Sequence, residues 1–168
     1  KTLKQSMLTL GPQLERFEED FCKYSKAKYA VAVSNCTAAL HLSLKALGIK
    51  KDDEVIIPDL TFVADANAIL ACNAKPIITD INKDNFFLSI SNIKKNISKK
   101  TKAIIPVHIY GQVCNIEEIL DIAHDNNLKI VEDCAHAVGT FHKSKHVGTL
   151  GNTGCFSFYP TKNITTAE

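Results

Sequence analysis

At 168 residues the chain is long enough to bury a core of its own and fits one domain. Its 45 % apolar and 23 % charged shares are those of a globular protein in water, not of a disordered or fibrous one. A net charge of +2, with both signs mixed along the chain, argues against a dedicated nucleic-acid or membrane-surface protein. No apolar run approaches the ~20 residues of a membrane span, and there is no signal peptide. Cys22, Cys36, Cys72, Cys114, Cys134 and Cys155 include no C-x-x-C pair, which speaks against a zinc site or a redox pair. Several lie in or beside apolar runs, as buried free thiols do, and a reducing cytoplasm suits them. The chain begins at Lys1 and stops at Glu168, and reads as a piece of something longer.

From the amino end, Leu14, Phe17, Phe21 and Tyr24 recur at spacings of three and four, which predicts an amphipathic helix over Pro12 to Tyr24. Tyr29 to Val33 reads as a short strand. Ser34 to Thr37 has the residue types of a helix start, and Ala38 to Leu47 is a helix stopped by Gly48. Glu54 to Ile57 is a strand ended by Pro58. Thr61 to Cys72 is a helix, and Pro76 to Thr79 a strand followed by Asp80. The lysine-dense stretch Lys94 to Lys102 reads as a solvated helix end and loop rather than a phosphate-binding patch. Ala103 to Val107 is a strand leading into His108. Ile116 to Asn126 is a helix, and Leu128 to Val131 and Gly154 to Phe158 are strands. This alternation implies crossover connections and an α/β fold: a three-layer, mostly parallel sheet with helices on both faces.

In an open α/β sheet, ligands bind beyond the carboxyl ends of the strands. Asn35 to Thr37, Asp59 to Phe62, His108, Asp133 to His136 and Tyr159 to Lys162 all follow predicted strand ends, so parallel strands bring them to one edge. Among them, Lys162 after Phe156-Ser157-Phe158-Tyr159-Pro160-Thr161 and Asp133 far upstream suit pyridoxal phosphate chemistry. A neutral lysine amine holds the cofactor as a Schiff base, exchanges with a substrate amine, and then serves as a general base between two carbons. An aspartate beside the pyridinium nitrogen keeps the ring an electron sink. Against these stand a surface lysine and a turn aspartate. The turn at Thr37 and Ala38 enters a helix and can take a phosphate, as can Ser157, while plain capping and backbone bonding are their ordinary uses. Phe62 can stack on a flat ring or be a core aromatic. His108 and His136 can donate to a ligand or be structural. His142 and His146 have the i,i+4 spacing of metal ligands, but in a polar loop metal binding is not expected.

Together these segments resemble the DegT/StrS family of nucleotide-sugar aminotransferases. The resemblance runs from Thr9 onward through TLGPQLERFEEDF, YAVAVSNCTAALHLSLKALGI, DEVIIPDLTFVADANAIL, PIITDI, AIIPVHIYGQ, VEDCAHAVGT and GCFSFYPTKNITTAE. It implies the large domain of the type I pyridoxal-phosphate fold, with residues 1–168 a partial cofactor-binding domain and a smaller C-terminal domain absent. It also implies pyridoxal 5'-phosphate as cofactor, with Lys162 as the Schiff-base lysine and Asp133 on the ring nitrogen. His136 falls near the ring hydroxyl, and Phe62 stacks on the ring with Thr61 beside it. Thr37, Ala38 and Ser157 hold the phosphate, and His108 lines the pocket. Cys36 stands where the family often has glycine or alanine, and crowds the phosphate turn. By the same resemblance the whole enzyme is a cytoplasmic homodimer. It moves an amino group from an amino acid, by family habit glutamate, to a nucleotide-linked keto sugar. The tail KNITTAE resembles members aminating 4-keto-6-deoxy sugars for surface polysaccharide or glycan assembly. Two alternatives remain: a related sugar dehydratase, which carries histidine in place of the lysine, and an inactive truncated product serving as a binding or structural module.

Overall fold

The computed structural model describes residues 10–166. Thr9 of the resembling segment, and Ala167 and Glu168 of its tail, lie outside the described residues. The chain divides into two compact units, at Val33 and Ser34.

The first unit is built on α1 (Pro12–Ser25). Gly11 caps it, Pro12 opens its first turn with a preset φ, and Lys26 closes it in the left-handed region at φ 60°. Phe17 and Phe21, one turn apart, meet with ring centroids 6.2 Å apart and tilted by 30°. Tyr29 to Val33 is not a strand. A strand exists only by pairing, and no ladder partner lies beside this segment among the described residues. Instead the Ala32 N–H donates to Glu18 Oε1 at 2.8 Å, tying the segment back to α1. Tyr29 and Val31 are left 76 % and 77 % exposed.

The second unit contains a five-stranded, all-parallel sheet in the order β2-β1-β3-β4-β7. Its strands are β1 (Glu54–Pro58), β2 (Lys75–Thr79), β3 (Thr101–Ile104), β4 (Lys129–Asp133) and β7 (Thr153–Cys155). The hairpin β5 (Phe141–His142) and β6 (Lys145–His146) lies between the last two in sequence. Side-chain alternation sorts the strand residues onto two faces. Val55, Ile57, Ala103, Ile105, Val131 and Cys155 pack with α2 (Cys36–Ala46) and α3 (Ala64–Ala71). Ile56, Ile104 and Ile130 pack with α4 (Ile90–Asn96) and α5 (Ile116–Asp125). Apolar side chains pack on both faces, so the strand centres read as apolar runs, with charged residues such as Glu54, Lys75, Lys129, Glu132 and Asp133 at the strand ends. Each fully buried isoleucine contributes about 2–3 kcal/mol through removal from water.

Helix α2 ends as its glycine predicts. Gly48, at φ 85°, donates to Lys45 O at 3.0 Å, and the Ile49 N–H reaches Leu44 O at 3.0 Å. These are the paired bonds of a Schellman stop, and Ile49 and Leu44 share the core. Several elements differ in their bounds from the sequence expectation: β3 runs Thr101–Ile104 rather than Ala103 to Val107, and β4 Lys129–Asp133 rather than Leu128 to Val131. Helix α3 starts at Ala64 rather than Thr61, because Thr61 to Val63 form the turn leading into it. Strand β7 stops at Cys155 rather than Phe158, because Cys155 pairs with Asp133, the last residue of β4. Helix α4 and the hairpin β5–β6 add to the expected elements.

Candidate active site

Parallel strands bring the candidate residues to one edge of the sheet. Asp133 is the last residue of β4 and is 5 % exposed. Its Oδ1 accepts the Ala135 N–H at 2.9 Å, which leaves Oδ2 available. Burial raises its pKa, while the Ala135 N–H and the charges of His136 and Lys162 work the other way. Lys162 lies in the loop after β7. Its N–H closes a turn onto Tyr159 O at 2.9 Å, and the Phe158 carbonyl accepts the Thr165 hydroxyl at 3.0 Å and the Thr166 N–H at 3.1 Å. The loop is therefore fastened at its base and presents a half-buried lysine. His136 follows Asp133 in the same turn. Burial and the Lys162 charge hold its pKa below the ordinary value. Its ring stacks on Tyr110 at 5.7 Å with an interplanar angle of 10°. Tyr110 is in the left-handed region at φ 53°, a costly conformation for a bulky residue.

Helix α2 supplies the candidate anion site. Asn35 is its cap, and its Oδ1 accepts the Ala38 N–H at 2.9 Å. Helix geometry leaves the Cys36 and Thr37 N–H groups as the open donors, and a phosphate reaching Ala38 displaces the Asn35 carboxamide. Cys36, expected to crowd this turn, lies within electrostatic reach of Asp133 and Lys162. Burial and then Asp133 push its thiol well up, so it adds no negative charge against an anion. Ser157 is 8 % exposed, and its Oγ accepts the Tyr159 N–H at 3.4 Å, leaving the hydroxyl hydrogen to donate. Cys155, bonded to Ser43 of α2 at 3.4 Å, lies two residues before Ser157 and brings that stretch toward the same helix. The ring of Phe62 is 74 % exposed on the loop after β1, so it is no core aromatic and offers a face for stacking.

These residues fit pyridoxal phosphate. The helix end and Ser157 provide donors for the phosphate, Asp133 Oδ2 an acceptor for a protonated ring nitrogen, Phe62 an open aromatic face, and Lys162 an amine without a hydrogen bond or ion pair among the described residues.

His108 does not line the pocket. It is fully buried, with Nε2 3.0 Å from Glu132 Oε2 and Nδ1 accepting the Cys114 N–H at 3.3 Å, so both ring nitrogens are occupied. His142 and His146 form no metal pair. His146 pairs with Phe141 across the hairpin and His142 with Lys145, which turns the two imidazoles to opposite faces. Two buried acids have roles that spacing and family likeness did not reveal. Asp65 of α3 is fully buried. Its Oδ2 accepts the Thr61 hydroxyl at 2.6 Å, and its Oδ1 has no hydrogen-bond partner among the described residues. Burial, with Asp133 adding, pushes its carboxyl up to about 8. The other is Glu132, whose signal in the sequence was a charge inside an apolar strand.

The chain matches the profile described as the DegT/DnrJ/EryC1/StrS aminotransferase family over residues 1–168. It is 45 % identical over 158 residues to the GDP-perosamine synthase of Vibrio cholerae, covering 94 % of this chain and 43 % of that protein. It is 42 % identical to the spore coat polysaccharide biosynthesis protein SpsC of Bacillus subtilis, covering 100 % of this chain and 43 % of that one. The structure of a putative sugar aminotransferase, Spr1654 of Streptococcus pneumoniae in its PLP form, superposes with a TM-score of 0.96 at 32 % identity, covering 99 % of this chain and 46 % of that one. The chain thus spans under half the length of these relatives, and it belongs to the DegT/DnrJ/EryC1/StrS aminotransferase family.

Proposed function

We propose that the whole protein is a pyridoxal-phosphate-dependent aminotransferase. It takes an amino group from an amino acid, glutamate by family habit, and gives it to a nucleotide-linked keto sugar of the 4-keto-6-deoxy kind. The observation that carries this reading is Lys162, an amine with no hydrogen bond or ion pair among the described residues, on a fastened loop after β7. Relatives named for GDP-perosamine synthesis and spore-coat polysaccharide biosynthesis support the sugar-nucleotide class and a place in surface polysaccharide assembly. Residues 1–168 serve as part of the cofactor-binding large domain of a cytoplasmic homodimer. No helix among the described residues is long and apolar enough to cross a membrane.

When bound, pyridoxal phosphate supplies an electron sink for breaking and making bonds at the amine-bearing carbon. The chain's residues do the rest. Thr37, Ala38 and Ser157 hold the phosphate by N–H and O–H donors at the end of α2. Asp133 Oδ2 accepts a hydrogen bond from the ring nitrogen and so keeps a proton on it. Phe62 covers one ring face, and His136 lies near the ring hydroxyl. Lys162 Nζ is the amine that would hold the cofactor and, when free, would carry a proton between the two carbons. Lysine at this position, where the family's dehydratases have histidine, weighs against the dehydratase reading.

The test is spectroscopic. Pyridoxal phosphate added to the full-length protein produces a visible absorption band that Lys162→Ala removes, and glutamate then converts the cofactor to pyridoxamine phosphate. A band that survives Lys162→Ala unchanged overturns the lysine assignment. A protein that binds the cofactor but never aminates it overturns the transferase reading.

A further inference from the structure

Glu132 is a fully buried carboxylate beside Asp133, yet it points away from the candidate site. Ile130 packs on the α4–α5 face and Val131 on the α2–α3 face, so alternation sends Glu132 to the first and Asp133 to the second. Four donors converge on Glu132. Oε1 accepts the Leu150 N–H at 2.8 Å and the Gly151 N–H at 2.7 Å. Oε2 accepts the Gly148 N–H at 2.8 Å and His108 Nε2–H at 3.0 Å. Because His108 Nδ1 accepts the Cys114 N–H, the ring hydrogen belongs on Nε2, and the donor set is complete. Burial alone would raise the Glu132 pKa, but the bonds from His108, Gly151 and Gly148 outweigh it and hold it below the ordinary value.

Cys134 Sγ lies within 4.8 Å of the His108 and Glu132 ligand atoms, but this is no cation site. N–H groups occupy both Glu132 oxygens and burial keeps the thiol protonated.

Three of the four donors come from the loop that feeds β7. That loop has no slack. A Cβ on Gly148 would lie 2.5 Å from the Phe156 ring, one on Gly151 2.5 Å from Ile130, and one on Gly154 2.3 Å from the Gly148 Cα. The next residue, Asn152, is locked to Ile130 by a bond in each direction, at 2.9 and 2.8 Å. On its other edge the end of β4 is held by Asp133 N–H to Pro106 O at 2.9 Å and His108 N–H to Asp133 O at 3.0 Å. The register Asp133↔Cys155 is thereby set from behind the sheet.

We propose that Glu132 is a positioning residue. By gathering the 148–151 loop and His108 onto the back of β4, it fixes Asp133 against the Ser157-to-Lys162 run. This rests on the cofactor reading above. The role requires a group that only accepts. A glutamine turned either way presents its NH2 to at least one backbone N–H, and a change of His108 tautomer to accommodate it would set Nδ1–H against the Cys114 N–H.

The experiment uses the full-length protein loaded with pyridoxal phosphate. Cofactor affinity and the pH midpoint of the visible band are compared among the parent, Glu132→Gln and Glu132→Asp, and thermal unfolding is measured on the apoproteins. For Glu132→Gln we expect affinity to fall about tenfold or more, as for groups that orient a metal's ligands. We also expect the midpoint to move by about half a pH unit or more. Glu132→Asp, shorter but still acceptor-only, recovers part of both. If Glu132→Gln lowers only the unfolding temperature, with affinity and midpoint as in the parent, the positioning role is overturned. Should that variant not fold, His108→Leu, which removes one donor, takes its place. A smaller change in the same two readouts supports the role, and none overturns it. A parent with no Lys162-dependent band sinks the cofactor reading and this inference with it, whereas a normal parent band with unaffected variants sinks only the inference.

Discussion

Asp133 and Glu132 are neighbours on one strand, both carboxylic acids and both shut away from water, yet they end in opposite electrostatic states. Glu132 has four donors and its pKa is held down. Asp133 has one bonded oxygen and burial lifts its pKa. Desolvation disfavours the charge of each, and hydrogen-bond supply decides the outcome. On the Glu132 side, both carboxylate oxygens and both His108 ring nitrogens have partners. On the Asp133 side Asp65 Oδ1, Asp133 Oδ2 and Lys162 Nζ all lack hydrogen bonds among the described residues. A structural carboxylate has its partners built in, whereas a functional one waits for a partner that arrives.

Four substitutions in the full-length protein separate the two sides. The largest effect is expected for Lys162→Ala, which removes the amine proposed to hold the cofactor. Transamination measured by product formation falls about 10³-fold or more, and apoprotein stability barely moves. Glu132→Leu acts on the opposite side and strands four donors. The apoprotein loses about 3–5 kcal/mol in denaturant unfolding. An unchanged midpoint would mean that the back of the sheet is not held by this charge. Asp133→Asn keeps the shape but removes the negative charge: with its oxygen on the Ala135 N–H, it would turn an NH2 donor toward the proposed protonated ring nitrogen. Turnover drops about 10²-fold or more, while the denaturation midpoint stays level or rises because a penalised charge is gone. The smallest effect concerns Asp65, with Asp133 and Thr61 facing it and Cys36 and Cys155 nearby. Its carboxyl, lifted to about 8, keeps a proton that the unfolded chain releases near the ordinary 3.8. Stability from this group is therefore full below that value and declines as pH rises toward 8. Asp65→Asn flattens the decline and stabilises the apoprotein at pH 8 by about 1 kcal/mol or more, roughly one pK unit of interaction. Parallel stability curves for parent and variant between pH 4 and 8 would show that Asp65 does not carry the proton.

Much of this architecture is written in local pattern. Apolar runs ending on Pro58, Thr79 and Asp133 mark parallel strands, and Gly48 marks a helix stop through its own dihedral freedom. Where pairing is non-local, pattern misleads. Tyr29 to Val33 has the composition of a strand but no ladder among the described residues, and Phe156 to Phe158 outrun the β4 partner. Helix α4 hides in a lysine-rich stretch although Ile90, Ile93 and Ile97 already show spacings of three and four. Lys162, Asp133 and Ser157 stood out as candidates because strand ends and turn residues sit beside them. Glu132 did not, because a charge at the end of an apolar run looks like a boundary until its four partners, far off in sequence, are seen. Asp65 was missed for a similar reason, being one acid in an otherwise apolar helix.

The contact of Gly154 with Gly148 has a practical meaning for anyone altering this molecule. Two backbones touch where side chains normally keep them apart, and a Cβ on Gly154 would lie 2.4 Å from the Gly148 oxygen. Insertions and peptide grafts belong in the exposed tip of the β5–β6 hairpin, where Lys143 already adopts a turn conformation at φ 54°. In a saturation library Ser144 at the tip should accept almost any residue and Lys143 those that tolerate its φ of 54°, while Gly148, Gly151 and Gly154 should accept almost none. That contrast would locate the tight seam in front of the lysine loop from growth counts alone.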